Sequence, residues 1–387
     1  MNSIMRDIGK VLSQSIVFWS FMVVFIGGLG GCIDPVEPEF QFEEGLIFID
    51  GFASTVPGAS FVTVNTSDLL VGTYRLLFVE DAIVEFENID TSTSVALLEK
   101  EGQYLPPDDF AVKPGETWRL NVSLPDGRNY SSAMETVVSS VPIGDLEAVY
   151  NPELEFREIQ GGRFIPGHEL LVSFDDPEGQ ENNYYYFYRT FEDLDICETC
   201  VDGYFRRGTC VGLNEPGPPY YNYVCDGDCW RIRYPESVSI FRDRFSDGVS
   251  VSKLPIANLP LHTNENMVVE VLQYSINGNA YEYFEVLKDL VDNSSGINAP
   301  PPAALVGNMF NVEDGDEFVL GRFTAAASSV ARIFINRRAI TEEVLEPRSA
   351  LIFEEMFDPV PPPITTIAPC EESRFRTGIR PEGWIEQ

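Results

Sequence analysis

The residues best suited to chemistry in this chain are its seven cysteines, and their spacing divides them into one and six. Cys32 stands alone behind Leu29-Gly30-Gly31. Two small residues there let an extended backbone enter a narrow peptidase cleft, and the thiol at the new amino terminus can accept fatty acid. What precedes Cys32 fits. Arg6 and Lys10 supply positive charge, and 16–29 is an apolar run too short to span a membrane, which takes roughly 20 residues. Segment 1–31 is therefore expected to be a lipoprotein signal peptide, cut before Cys32. Each acyl methylene contributes about 0.8 kcal/mol, and two or more chains hold a protein stably.

The other six are Cys197, Cys200, Cys210, Cys225, Cys229 and Cys370, five of them crowded into 197–229. Cys197-Glu198-Thr199-Cys200 has zinc-knuckle spacing, and with Cys225 and Cys229 it could form a four-thiolate metal site. Export argues otherwise. In an oxidising compartment an even set of cysteines forms disulfides, so bridges are expected, with no metal and no cofactor. Fifteen pairings remain open. Each closure would contribute roughly 2–4 kcal/mol, pinning a Gly/Pro-rich excursion with little apolar core of its own. Tyr220, Tyr221, Tyr223 and Trp230 sit on that excursion. Held rigid, they make a candidate binding surface for a glycan or another small ligand. The alternative is that the rings pack on the bridges themselves.

Other chemistry is thin. No Gly-x-Ser-x-Gly elbow, His-Glu-x-x-His or phosphate loop occurs, and the two histidines, His168 and His262, carry no recognisable triad. No catalytic residue is nominated, and the chain is not expected to be an enzyme. Asp226-Gly227-Asp228 and 313–317 lack the calcium-loop pattern and read as hairpin turns. A net charge of −35 excludes nucleic-acid phosphate as a partner and disfavours anionic lipid. The acidity reads as solubility for an exposed surface.

The elements that must carry these groups are mainly β. Residues 32–44 alternate prolines with acids, an extended tether. Acids just after the lipidated cysteine also resemble the surface-export signal of Bacteroidota lipoproteins, so the outer membrane is expected, facing the cell surface, with a periplasm-facing alternative. From 45 to 142, short β-like runs alternate with turns; in 117–124 the residues Trp118, Leu120, Val122 and Leu124 alternate with polar neighbours, and Asp126-Gly127 marks a hairpin. That region is expected to be an immunoglobulin-like β-sandwich, with 139–142 as its exit linker. Residues 143–387 are expected to form a larger β-rich domain carrying the excursion 197–229 and one or two helices. Its strands are placed at 169–174, 183–189, 267–275, 318–324 and 331–335, and an amphipathic helix at 280–292.

Several phrases occur in a specific order: Cys32-Ile33-Asp34-Pro35, Gly102-Gln103-Tyr104, Lys113-Pro114-Gly115, and Asp126-Gly127-Arg128-Asn129-Tyr130-Ser131-Ser132. Phe174-Asp175-Asp176-Pro177, Asn183-Tyr184-Tyr185 and Gly307-Asn308 follow, the last leading to Val319-Leu320-Gly321-Arg322-Phe323. Together they resemble the Bacteroidota lipoproteins grouped as domain-of-unknown-function family 4249. The resemblance implies an amino-terminal immunoglobulin-like domain joined to a larger β-rich one. It also implies a partner, since such proteins are commonly encoded beside TonB-dependent outer-membrane receptors. It carries over no catalytic residue. One position departs from the family pattern: Arg322 stands where a tyrosine is usual.

Overall fold

A computed structural model describes residues 45–386, apart from 71–72, 159–161, 213–217, 293–304, 306, 347–349 and 355–364. The expected signal peptide, the tether and Cys32 lie outside the described residues. Residues 44–387 form one compact unit, mainly β, with a single helix among the described residues. No described helix is long and apolar enough to cross a membrane.

Nine strands come first: β1 (Ile47–Ser54), β2 (Phe61–Leu70), β3 (Thr73–Phe78), β4 (Ile83–Asn88), β5 (Thr93–Lys100), β6 (Gln103–Leu105), β7 (Thr117–Ser123), β8 (Asn129–Ser132) and β9 (Glu135–Thr136). One sheet pairs β1–β2–β6–β5 and the other β4–β7–β8. The two sheets face each other across one core. β5 also pairs with β4, which joins the two sheets at a corner. The alternation read in β7 is the cause of the packing: Trp118, Leu120 and Val122 are buried while their neighbours are not. They meet Ile49, Val62, Val64 and Phe86 from the other strands in one core.

The later strands are β10 (Asp145–Arg157), β11 (Arg163–Asp175), β12 (Asn183–Asp193), β13 (Ile196–Val201), β14 (Gly203–Arg206), β15 (Thr209–Gly212), β16 (Tyr220–Cys225), β17 (Trp230–Arg233), β18 (Ser239–Arg242), β19 (Ser250–Pro260) and β20 (Met267–Ile276). After helix α1 (Gly278–Asp292) come β21 (Met309–Asn311), β22 (Val319–Leu320), β23 (Phe323–Ile335), β24 (Ile367–Ala368) and β25 (Arg376–Thr377). A central sheet runs β23–β20–β12, with β17 and β18 beyond β12. The antiparallel trio β10–β11–β19 shares a core with one face of it. α1 packs on the opposite face, where Phe284 stacks on Tyr185 with ring centres 4.3 Å apart. The helix starts two residues earlier than expected because Asn277 caps it, accepting the Ala280 N–H at 2.9 Å.

β23 belongs to both regions. Gly51 to Ser54 of β1 pair in parallel with 323–326, and from Ala327 onward the same strand runs antiparallel to β20. Phe323 therefore sits in the sandwich core and Ile335 in the core beneath the trio. The sequence suggested two short strands, 318–324 and 331–335. One long strand replaces them because 324–328 is Thr-Ala-Ala-Ala-Ser, small enough to stay buried on both faces where the two cores meet. Nor is 139–142 a free linker: Val141 is buried, its carbonyl accepting from Gln273 at 2.9 Å. β22 reaches β23 through Gly321 at φ +96°, and a Cβ there would strike the Ile49 carbonyl.

Candidate functional site

β12 builds the floor of a deep groove. Tyr184, Tyr186, Tyr188, Thr190 and Glu192 share one face of it. The trio of strands packs against the first three. Beyond them a groove of about 1260 Å³ opens, floored by Thr190, Glu192, Arg231 and Arg233. Phe156 and Arg157 of β10 line it, as do Phe375 and Arg376 near the carboxyl end. Its size is at or above the upper end for small-ligand pockets, roughly 300–1,000 Å³.

A chain of ion pairs stiffens the floor. Arg337, only 1% exposed, donates to Glu192 at 2.9 Å, and Arg233 donates to the other oxygen of Glu192 at 2.9 Å. Arg233 and Arg231 both reach Glu346, at 3.0 and 2.9 Å. His262 Nδ1 stands 3.4 Å from the same carboxylate. Burial pushes the Arg337 guanidinium below its ordinary value despite Glu192. Burial and then Arg233 push His262 down, so it is neutral at pH 7. Glu346 lies below its usual range; burial opposes this, but Arg233 and Arg231 outweigh it. The buried Thr190 hydroxyl and Arg337 Nε have no hydrogen-bond partner among the described residues.

Beside the groove stands the cysteine excursion. Its three bridges are Cys197–Cys225, Cys200–Cys210 and Cys229–Cys370. Cys197 and Cys200, the knuckle pair, enter different bridges, so the four-thiolate metal alternative falls: a cystine sulfur offers no thiolate.

The aromatic surface expected on this excursion needs correction. Tyr223 is fully buried; its hydroxyl donates to Glu354 and accepts the Phe205 N–H at 2.8 Å, and burial followed by Glu354 pushes it up to about 12. Trp230 is buried edge-on against Trp384, with ring centres 5.6 Å apart. Tyr221 is half-buried and stacks on Tyr204 at 5.3 Å, and Tyr220 is tied to the Ala350 carbonyl at 2.8 Å. The reason is physical: the excursion has few aliphatic residues and leaves Val201, Val211 and Val224 exposed, so half-cystines and its own rings fill its interior.

Sequence reasoning missed the groove altogether. The signal, in hindsight, was the Arg231-x-Arg233 alternation of β17 opposite Thr190 and Glu192 of β12, which no local pattern pairs. It missed a second feature too. The carboxylates of Asp176, Asp243 and Asp247 lie within 4.8 Å of one another. Asp176 accepts the Tyr184 hydroxyl at 2.5 Å, Asp243 the Asn182 N–H at 2.9 Å and Asp247 the Gly179 N–H at 2.8 Å. These bonds lace two loops together.

The family model described as Domain of unknown function (DUF4249) matches residues 33–332. The chain belongs to that family. No curated protein and no solved structure matches it. The phrases quoted for DUF4249 acquire physical roles in this fold. Phe174-Asp175-Asp176-Pro177 and Asn183-Tyr184 form the Asp176–Tyr184 bond, with the Phe174 ring edge-on to Tyr184 at 4.9 Å. Tyr104 of Gly-Gln-Tyr donates to the Val79 carbonyl at 2.7 Å and accepts the Ala82 N–H at 2.9 Å. Asn308 brackets Phe323, accepting its N–H at 2.8 Å and donating to its carbonyl at 2.8 Å. Arg322, where this DUF4249 chain departs from the pattern, pairs with the buried Glu135. Asn277 and Asn308 also donate to Glu135, at 2.6 and 3.0 Å, so a cap, a strand and a turn converge on one carboxylate.

Proposed function

We propose that this DUF4249 chain is a non-enzymatic lipoprotein of the outer membrane. It faces the cell surface, docks on a TonB-dependent barrel and presents captured ligand to it. The carrying observation is the groove: a concave wall of aromatic and arginine side chains. Such surfaces bind and orient. The lipobox at Cys32 and the acidic tether support the location, and family membership supports the company.

The non-enzymatic reading is supported by both histidines. His168 is buried against the Tyr150 ring, and His262 faces Glu346. A freestanding module for glycan or protein adhesion is the competing reading. It loses Trp230 and Tyr223, which are buried, and keeps the groove.

Affinity purification of the acylated chain from mildly solubilised envelopes decides between them. The barrel is expected in near-stoichiometric yield. Recovery of the chain without a barrel overturns the accessory role and leaves the adhesion reading standing.

A further inference from the structure

We propose that a second cavity, between the sandwich and the central sheet, binds a small organic carboxylate with an apolar body. The proposal draws neither on the groove nor on the lipid anchor. Its floor is the face of the central sheet beside α1, where β12, β20 and β23 set their side chains across the strands in register. Phe187, Leu272 and Val330 form one apolar row, and Arg189, Glu270 and Arg332 form the next. The loop 56–60 and Phe61 of β2 wall these rows, and residues from 372–382 complete the lining. The space is about 510 Å³, within the roughly 300–1,000 Å³ of small-ligand sites. Phe61, Phe187 and Val330 are only half-buried, so protein leaves part of the apolar lining uncovered.

Charge gives the cavity its sign. The chain has 61 acids against 26 lysines and arginines, yet five basic and four acidic side chains line this space. Buried Glu270 accepts from Arg189 Nε at 2.6 Å on one oxygen and from Arg332 Nε at 2.7 Å on the other. One carboxylate thus stands between two guanidiniums. Glu382 reaches Arg332 at 3.0 Å, but it is 77% exposed, where water screens most of the attraction. Arg374 has no carboxylate partner among the described residues, yet it is held in place. The Tyr234 hydroxyl donates to its carbonyl at 2.8 Å, and its guanidinium lies over the Tyr234 ring, 5.1 Å from the centre. Burial pushes the Tyr234 hydroxyl up and the charges of Arg189 and Arg374 both oppose it, so both guanidiniums stand near that ring.

Shape and charge together name the ligand class. The row of Phe187, Leu272 and Val330 takes a hydrocarbon body of one or two rings, or a short acyl chain. The terminal N–H groups of Arg189 and Arg374 have no described acceptor, and a planar guanidinium fork matches a carboxylate. One surplus positive charge balances a monoanion, whereas a phosphate monoester carries about −1.5 to −2 at pH 7.

The test titrates the purified full chain calorimetrically with 1-naphthoate, the neutral 1-naphthamide and 1-naphthyl phosphate. Naphthoate should bind at one site per chain, about tenfold or more tighter than the amide and tighter than the phosphate. Arg374→Gln should weaken naphthoate about tenfold and leave the amide unchanged, and Arg374→Lys should restore part of the loss. Arg374 is exposed at the rim, so an unchanged denaturation midpoint is expected for both variants. Val330→Trp fills the apolar row and should abolish binding of acid and amide alike. No saturable naphthoate binding, equal affinity for the amide, or an Arg374→Gln chain that binds naphthoate as tightly as its parent overturns the site. Tighter binding of the phosphate overturns the carboxylate class.

Discussion

The sandwich at 45–142 and the cysteine excursion at 194–230 reach a folded interior by opposite routes. The sandwich core is filled by aliphatic and aromatic side chains from both sheets, among them Val62, Val64, Phe86, Leu120 and Val122. In the excursion, three of the six buried core members, Cys197, Cys200 and Cys229, are half-cystines. The other three are Phe205, Tyr223 and Ala368, and beside them Arg206 grips both oxygens of Glu354, at 2.8 and 2.7 Å, while Tyr223 shares that carboxylate. Burial of apolar area stabilises the first region directly, at roughly 25 cal/mol per Å². Bridges act on the second mainly by restricting the unfolded chain, an effect that grows with loop length. Apolar area is what the excursion lacks, and covalent closure substitutes for it.

The comparison breaks most severely at Cys229–Cys370, which spans 141 residues. Replacing both by serine should lower stability by about 5 kcal/mol on the loop-entropy estimate, against about 3 for Cys200–Cys210. Trypsin should then cut at the exposed Arg207 before the sandwich unfolds. A cut no faster than global unfolding would mean that the excursion does not depend on its bridges. Next in size is Phe86→Ala in the sandwich, expected to cost about 3–5 kcal/mol. A single denaturant transition is expected, with Arg207 no more susceptible below it. An early cut at Arg207 would show that the two regions are not separately held.

The smallest effect is expected at His168 of β11, outside both regions. Burial, helped by the Arg337 charge, lowers His168 from 6.5 to about 4. A base with a lowered folded pKa binds fewer protons when folded, so its contribution is complete above pH 6.5 and is lost as pH falls toward 4. Between pH 7 and 5 the loss should be about 2 kcal/mol. His168→Phe should flatten that slope in pH-dependent denaturant melts, and an unchanged slope would assign it to other groups.

Much of the fold was legible because it is local. The alternation in β7, the Asp126-Gly127 hairpin and the apolar stripe of α1 each encode one side of one element. The aromatics at 220–230 were misread for the opposite reason. Whether a ring faces solvent depends on what else is available to fill the interior beneath it. Trp384, which covers Trp230, lies more than 150 residues further along the chain. The groove was illegible on the same ground, since its floor and walls come from β10, β12, β17 and the carboxyl-terminal segment.

The amino-acid sequence by itself determined the β-rich class, the helix, the family and the presence of six cysteines able to pair. Period, turn chemistry and composition act over a few residues and need no partner. Only the tertiary structure decided which cysteines join, that β23 closes two cores at once, and that Glu135 receives Arg322, Asn277 and Asn308 together. Those outcomes depend on which distant segments exclude water from one another, and that is a property of the packed chain.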